Sequence, residues 1–254
     1  MKIQVLGCYG SEFQDFHTTA FLINGSLLLD AGSVTSALTL NEQMKIHNIL
    51  ITHSHLDHTK DILFLADNVI GKKNISIDVI SVSEVIESLR SHLLNNRIWP
   101  DFATLPTVEK PVLQLKAIQT GETFSVNGLT VKAVSVNHTV DAVGYIIKDE
   151  QKSILYTGDT GDTDEIWEEA NELPDLKAII VETSFPNSLY KLAKVSGHLT
   201  PLMLEEQLSK LRNFDSSVLI FHMKPQYLTE LKKDIKKLKN PNIIILRQGE
   251  VFEF

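Results

Sequence analysis

The stretch ITHSHLDHTKDI, residues 51–62, holds three of the chain's nine histidines and an aspartate within six positions. No other feature constrains the chain so strongly. A solvated loop has no use for this crowding, whereas a bound cation does. The apolar run NILI reads as a strand that ends just before His53. His53 and His55, two apart in extended chain, point the same way. Asp57 and His58 follow where the chain bends into a helix, so they face a neighbouring point. One segment therefore offers donors to two metal ions.

Two ions need more than four donors. His138 ends the apolar run VKAVSVNH, Asp159 ends SILYTGD and His222 ends SVLIFH. An unpaired polar group is costly to bury at such a place. Each alone would be read as a core or capping residue; beside HSHLDH they are read as ligands. Cys8 is the only cysteine, so no intrachain disulfide forms and His, Asp or Glu must hold any metal. Missing thiolates argue against a purely structural zinc site. Two divalent ions are expected, zinc first, with manganese or iron as alternatives.

The chain repeats itself weakly. TTAFLINGSLLLDAG (18–32) and AVGYIIKDEQKSILYTGD (142–159) each read as strand, turn, strand, and FSVNGLTVKAVSVNH (124–138) adds a hairpin. Asn-Gly between apolar runs is a strong hairpin signal. Buried strands follow at 48–53, 177–183 and 217–222, each running into a His or Glu. Helices are expected over 59–69, 83–95, 163–171, 200–213 and 227–238, the fourth capped by Thr200 with Pro201 behind it. The architecture implied is two β-rich halves packed face to face with helices outside, an α/β fold in one domain, 1–254. Functional groups then collect beyond the strand ends.

A net charge of −8 argues against an extended nucleic-acid surface. The one basic run, LKKDIKKLKN, reads as the wet face of a helix, with a polyanion patch as the alternative. No apolar run is long enough to span a bilayer. VLGC near the start faintly mimics a lipoprotein cleavage site, but a first β-strand is the expected reading. The cytoplasm is the expected location, and a homodimer is allowed.

HxHxDH, then His138, then Asp159 in YTGD, then His222, resembles the metallo-β-lactamase superfamily. HSHLDH, ETSFPN, SGHLTP and FHMKPQY are similar to segments of its class II cyclic-nucleotide phosphodiesterases. The resemblance runs from Met1 to Phe254. It implies a four-layer αββα sandwich with an internal pseudo-repeat. It also implies His53, His55 and His138 on one metal, Asp57, His58 and His222 on the second, and Asp159 bridging. Asp30 in LLLDAGS matches an aspartate that supports the loops. Thr59-Lys60-Asp61 departs from the family, which commonly has a glycine shortly after DH.

The expected reaction is hydrolysis of a small phosphodiester, above all a 3′,5′-cyclic nucleotide such as cyclic AMP, to the 5′-nucleotide. A hydroxide bridging the two ions would attack phosphorus. No GxSxG nucleophile motif is present. The leaving alkoxide needs a proton, and His198 in SGHLTP is the candidate acid, with a capping or packing role as the alternative; Asp57 is the other catalytic candidate. Trp99 and Phe102 are read either as a wall for a purine or as buried pins of a loop. His17 is placed near the site, His92 on the surface, His47 in a structural role. Rival readings are an RNase Z-like nuclease, a glyoxalase II-like thioester hydrolase, a diiron oxidoreductase and a non-catalytic metal-binding protein.

Overall fold

A computed structural model describes residues 1–73, 75–212 and 215–254. The strands are β1 (Lys2–Gly7), β2 (Ala20–Ile23), β3 (Leu27–Leu29), β4 (Asn48–Leu50), β5 (Ile77–Val82), β6 (Pro106–Thr107), β7 (Lys110–Pro111) and β8 (Leu113–Ile118). They continue as β9 (Thr123–Val126), β10 (Leu129–Ser135), β11 (Val143–Lys148), β12 (Ser153–Tyr156), β13 (Leu176–Glu182), β14 (Ser217–Phe221), β15 (Ile243–Ile245) and β16 (Val251–Glu253). The helices are α1 (Leu40–Gln43), α2 (Leu56–Val69), α3 (Ser83–His92), α4 (Glu165–Asn171), α5 (Tyr190–Val195), α6 (Pro201–Leu208) and α7 (Leu228–Ile235).

Two seven-stranded sheets carry the fold, in the orders β16-β1-β2-β3-β4-β5-β8 and β15-β14-β13-β12-β11-β10-β9. Both begin with antiparallel hairpins, β1-β2-β3 and β9-β10-β11-β12, and then continue in parallel through β4, β5, β8 and through β13, β14, β15. This is the repeat read from the sequence. The Asn-Gly pairs form two of its turns: Asn24 and Gly25 have φ of 48° and 72°, and Asn127 and Gly128 have 52° and 78°. Consecutive positive φ angles are what a two-residue turn needs to match strand twist, and Asn and Gly tolerate them best.

Strand alternation explains why the sheets stack. In the second sheet Tyr145, Ile147, Tyr156, Ile180 and Phe221 belong to the core shared with the first sheet. Their neighbours Ile146, Leu155, Ile179, Val181 and Ile220 form a separate core with Trp167 of α4, Leu204 of α6 and Leu231 of α7. Both faces are thus covered, as the parallel half of the sheet requires. Phe21, Tyr156 and Phe221 meet between the sheets with ring centroids 5.3–5.6 Å apart. On the far side of the first sheet, α3 packs on β5 and β8. The layers are helix, sheet, sheet, helix, the expected αββα sandwich.

Local differences have simple causes. Helix α2 starts at Leu56, three residues before the expected start, because His55 already has extended cap geometry and Asp57 complements the first turn. Its buried His58, Ile62, Leu65, Ala66 and Val69 keep helical spacing. Helix α3 ends at His92, short of 95, and α7 spans Leu228–Ile235 within the expected 227–238. Helix α6 ends at Leu208; position 213 of the expected helix lies outside the described residues. Among the described residues no helix is long and apolar enough to cross a membrane.

Candidate metal centre

The chemistry-bearing side chains gather beyond the carboxyl ends of β3, β4, β10, β12, β13 and β14. His53, His55, Asp57 and His58 follow β4, His138 follows β10, Asp159 follows β12 and His222 follows β14. Donor atoms of His53, His55 and His138 lie within 4.8 Å of one another, as do those of Asp57, His58 and His222, and those of His53, His58 and Asp159. All seven expected ligands are therefore brought together from four separate segments.

The spacing suits a cation. His53 Nε2 lies 3.1 Å from His55 Nδ1, which lies 3.3 Å from His138 Nε2. His222 Nε2 is 3.2 Å from both Asp57 Oδ2 and Asp159 Oδ2. Tetrahedral donors at about 2.0–2.1 Å from a zinc ion would sit about 3.3 Å apart. His58 Nε2 and Asp159 Oδ1 face each other at 3.3 Å. Both are buried and neither has a hydrogen-bond partner among the described residues. Two orphaned buried polar atoms at one point would be costly without an ion between them.

Burial sets the electrostatics. It pushes the His53, His55 and His138 imidazoles below their ordinary pKa, which keeps them neutral and able to donate lone pairs. Burial also opposes charge on Asp159 and Asp57. The imidazoles outweigh it: His222 and His58 hold Asp159 well below the carboxylate range, and the hydrogen bond from His222 does the same for Asp57.

A layer of buried polar groups fixes the donors. Asp30 accepts His58 Nδ1–H at 2.7 Å, the Tyr156 hydroxyl at 2.5 Å, and the Thr52 amide at 2.8 Å. With Nδ1 committed to Asp30, His58 turns Nε2 toward Asp159; against burial, the two carboxylates raise its pKa, so a cation bound there would displace the Nε2 proton and take its lone pair. Asp30 and His222 both have positive φ, 55° and 64°, so backbone strain sits at the site. At Gly158 φ is +60°, and a Cβ would lie 2.8 Å from Thr52 Cβ; only glycine lets Asp159 come this close to the segment carrying His53.

His198 is buried against this cluster, with its ring stacked on His222 at 5.2 Å. Its Nδ1 lies 2.7 Å from Glu182 Oε1. Glu182 is fully buried at the end of β13, and its carboxylate also accepts from Ser184 Oγ (2.8 Å) and the backbone amides of Thr160 and Leu199, each 3.3 Å. Ser184 Oγ is in turn 2.8 Å from His222 Nδ1. Burial would lower the His198 pKa, but the Glu182 carboxylate overrides it and raises it. Sequence reading assigned Glu182 and Ser184 no role. Yet Glu182 carries the same signal that marked Asp159: an acid closing an apolar strand.

Asp61 is the other unread residue. It accepts the amides of Val34 and Thr35 at 2.6 and 2.7 Å, tying α2 to the loop after Asp30. Lys60 pairs with Glu12 and Asp61 at 3.3 and 3.1 Å. Phe102 is buried in the core and Trp99 packs edge-on against Phe64 of α2, which is the pinned-loop alternative. His92 lies exposed at the end of α3, and His17 and His47 are half-buried outside the donor groups.

A family model described as a beta-lactamase superfamily domain matches residues 21–223, and the chain belongs to that superfamily. Its fold and donor set are those of a metal-dependent hydrolase. The chain is 26% identical over 220 residues, 77% of its length, to a probable 3′,5′-cyclic-nucleotide phosphodiesterase of Yersinia pestis, and this match spans 62% of that relative. It is 25% identical over 299 residues to a 3′,5′-cyclic-nucleotide phosphodiesterase of Aliivibrio fischeri, covering 96% of this chain and 84% of the relative. Its fold is similar to that of unliganded yeast PDE1, with a TM-score of 0.83 at 20% identity over 98% of both chains.

Proposed function

We propose that the chain is a dinuclear metal-dependent phosphodiesterase that hydrolyses 3′,5′-cyclic nucleotides, with cyclic AMP as first candidate, to 5′-nucleotides. The observation that carries this reading is the convergence of seven donors in overlapping groups beside the His198–Glu182 pair. The phosphodiesterase relatives supply the substrate class. His53, His55 and His138 would hold one ion, Asp57, His58 and His222 the other, with Asp159 shared. When bound, two divalent ions, zinc first, make water nucleophilic at neutral pH and neutralise phosphoryl oxygens.

The chain's own groups do the rest. The donor loops hold the phosphodiester above the cluster. Asp57 holds its carboxylate charged beside the reacting phosphate. His198, kept protonated by Glu182, gives a proton to the departing 3′ oxygen. Because the Glu182 carboxylate occupies Nδ1, His198 Nε2 is the edge left for the leaving group. The acidic charge fits a small substrate rather than an RNA surface. We also infer that residues 1–254 form one domain, that the protein works in the cytoplasm, and that a homodimer is compatible with this chemistry.

The test is a panel of cyclic AMP, cyclic GMP, bis-p-nitrophenyl phosphate, S-lactoylglutathione and pre-tRNA, run on protein whose metal content is measured. About two ions per chain and turnover of the cyclic nucleotides are expected. Full activity after exhaustive chelation, or turnover of the thioester or pre-tRNA alone, would refute the assignment.

A further inference from the structure

The basic run of the sequence is not used by the histidine centre. It lies on α7 and the turn after it, where Lys232, Lys233, Lys236 and Lys237 fall within six positions. A helix carboxyl end favours a cation or two. Four exceed that need, and the stacked pairs Lys232–Lys236 and Lys233–Lys237 repel at i,i+4 spacing. Of the four, only Lys237, in the turn after α7, is neutralised, by Asp234 at 2.7 Å; among the described residues Lys232, Lys233, Lys236 and Arg247 have no ion pair.

These cations border a cavity of about 310 Å³. Lys232, Lys236 and Arg247 line it, with Met223, Ile245 and Leu246 as an apolar floor and Tyr9 as an aromatic wall. Lys232 and Lys236 also line an adjoining depression with Lys233 and Lys237. The Tyr9 hydroxyl makes no hydrogen bond among the described residues. Burial pushes its pKa up to about 12, so it stays an O–H donor. Of the acids near these groups, Glu250, which bears on Tyr9, accepts the Arg247 amide at 2.9 Å, and Asp234 pairs with Lys237. A cavity with an apolar lining rimmed by three cations, on a chain of net charge −8, is the complement of an anion carrying a ring.

We propose that Lys232, Lys236, Arg247 and Tyr9 form a second ligand site, apart from the histidine centre, that takes a phosphate monoester bearing a flat ring, such as a nucleoside monophosphate. The phosphate sits among the cations and the ring lies on Tyr9 and the apolar floor. The site does not depend on the phosphodiesterase reading. Its position has a consequence, because Met223 directly follows His222 and pairs with Tyr9, while the Gly10 amide donates to the Met223 carbonyl at 3.3 Å. An occupant would therefore lie against Met223, the residue next to His222.

The experiment is calorimetric titration of the metal-loaded full chain with 5′-AMP, alongside a Lys232→Gln/Lys236→Gln/Arg247→Gln variant. The three side chains are exposed, and matching thermal melts verify the fold of the variant. The wild type should bind 5′-AMP at a site that the variant loses or binds about tenfold more weakly, the order expected for removing several exposed charge contacts. That binding should weaken with salt, and adenosine should not occupy the site. Turnover of bis-p-nitrophenyl phosphate should be equal in the two proteins without ligand. Equal 5′-AMP binding by both proteins overturns the proposal. So does adenosine binding as well as 5′-AMP, or variant-sensitive binding of anionic vesicles or RNA without binding of 5′-AMP.

Discussion

Replacing Asp30 by Asn tests whether the buried carboxylate sets the chemistry of His58. The change is nearly isosteric, so the packing of the site is kept. Asp30 now accepts from His58 Nδ1, Tyr156 and Thr52 at 2.5–2.8 Å. An amide has one acceptor oxygen. If that oxygen stays on Thr52, an NH₂ group faces His58 and drives its proton to Nε2, which removes the lone pair aimed at the metal position. If the amide turns round, the Thr52 N–H meets a donor and is orphaned in the core. Loss of such an orienting partner costs roughly 10–100-fold in metal affinity, about 1.4–2.7 kcal/mol. Losing hydrogen bonds to the charged carboxylate costs about 1.5–3 kcal/mol of stability as well. Zinc affinity by chelator competition and urea unfolding of the metal-free protein separate the two effects. Wild-type zinc affinity in a destabilised Asp30→Asn protein would refute the tautomer argument and leave Asp30 a packing group only.

Other expectations follow from the same geometry. Glu182→Gln removes the charge that raises His198. The alkaline limb of the pH–rate profile should then move to lower pH and kcat fall about 10–100-fold, with metal content unchanged. The linked stability has a fixed sign: a raised His198 stabilises fully below its unfolded value of 6.5 and loses that contribution as pH rises through the folded value, so unfolding of Glu182→Gln should show a smaller loss over that window. Gly158→Ala places a methyl 2.8 Å from Thr52 at φ +60° and should cost about 2–4 kcal/mol in thermal or urea unfolding. Chelation should lower Tm by roughly 5–10 °C relative to protein with ions at about a hundred times Kd, and re-addition should restore it; an unmoved Tm would contradict binding at these buried donors.

The sequence made the donor cluster legible because polar side chains closing apolar strands are costly without partners. HSHLDH, and the lone His138, Asp159 and His222 after apolar runs, could be read without knowing which strands are neighbours. The hairpins were legible through Asn24-Gly25 and Asn127-Gly128, whose φ angles few other pairs adopt. The partner of each buried group was not. Glu182 and His198 are 16 residues apart and His222 is 165 from Asp57; the parallel pairing of β13 and β14 sets Glu182 beside His222, and the packing of the two sheets face to face brings Asp57 to His222. Short helices such as α1 and α5 escaped because four or six residues give no periodicity to count. The β1–β16 pair escaped because nothing local encodes a bond across the whole chain.

Four of the seven donors ride on the first sheet and three on the second, and the hydroxyl of Tyr156 reaches across to Asp30 between them. Neither slab owns a complete grip. On the proposed ligand set, a cation would find its donors complete only where the two slabs meet face to face, so metal binding would report on their docking.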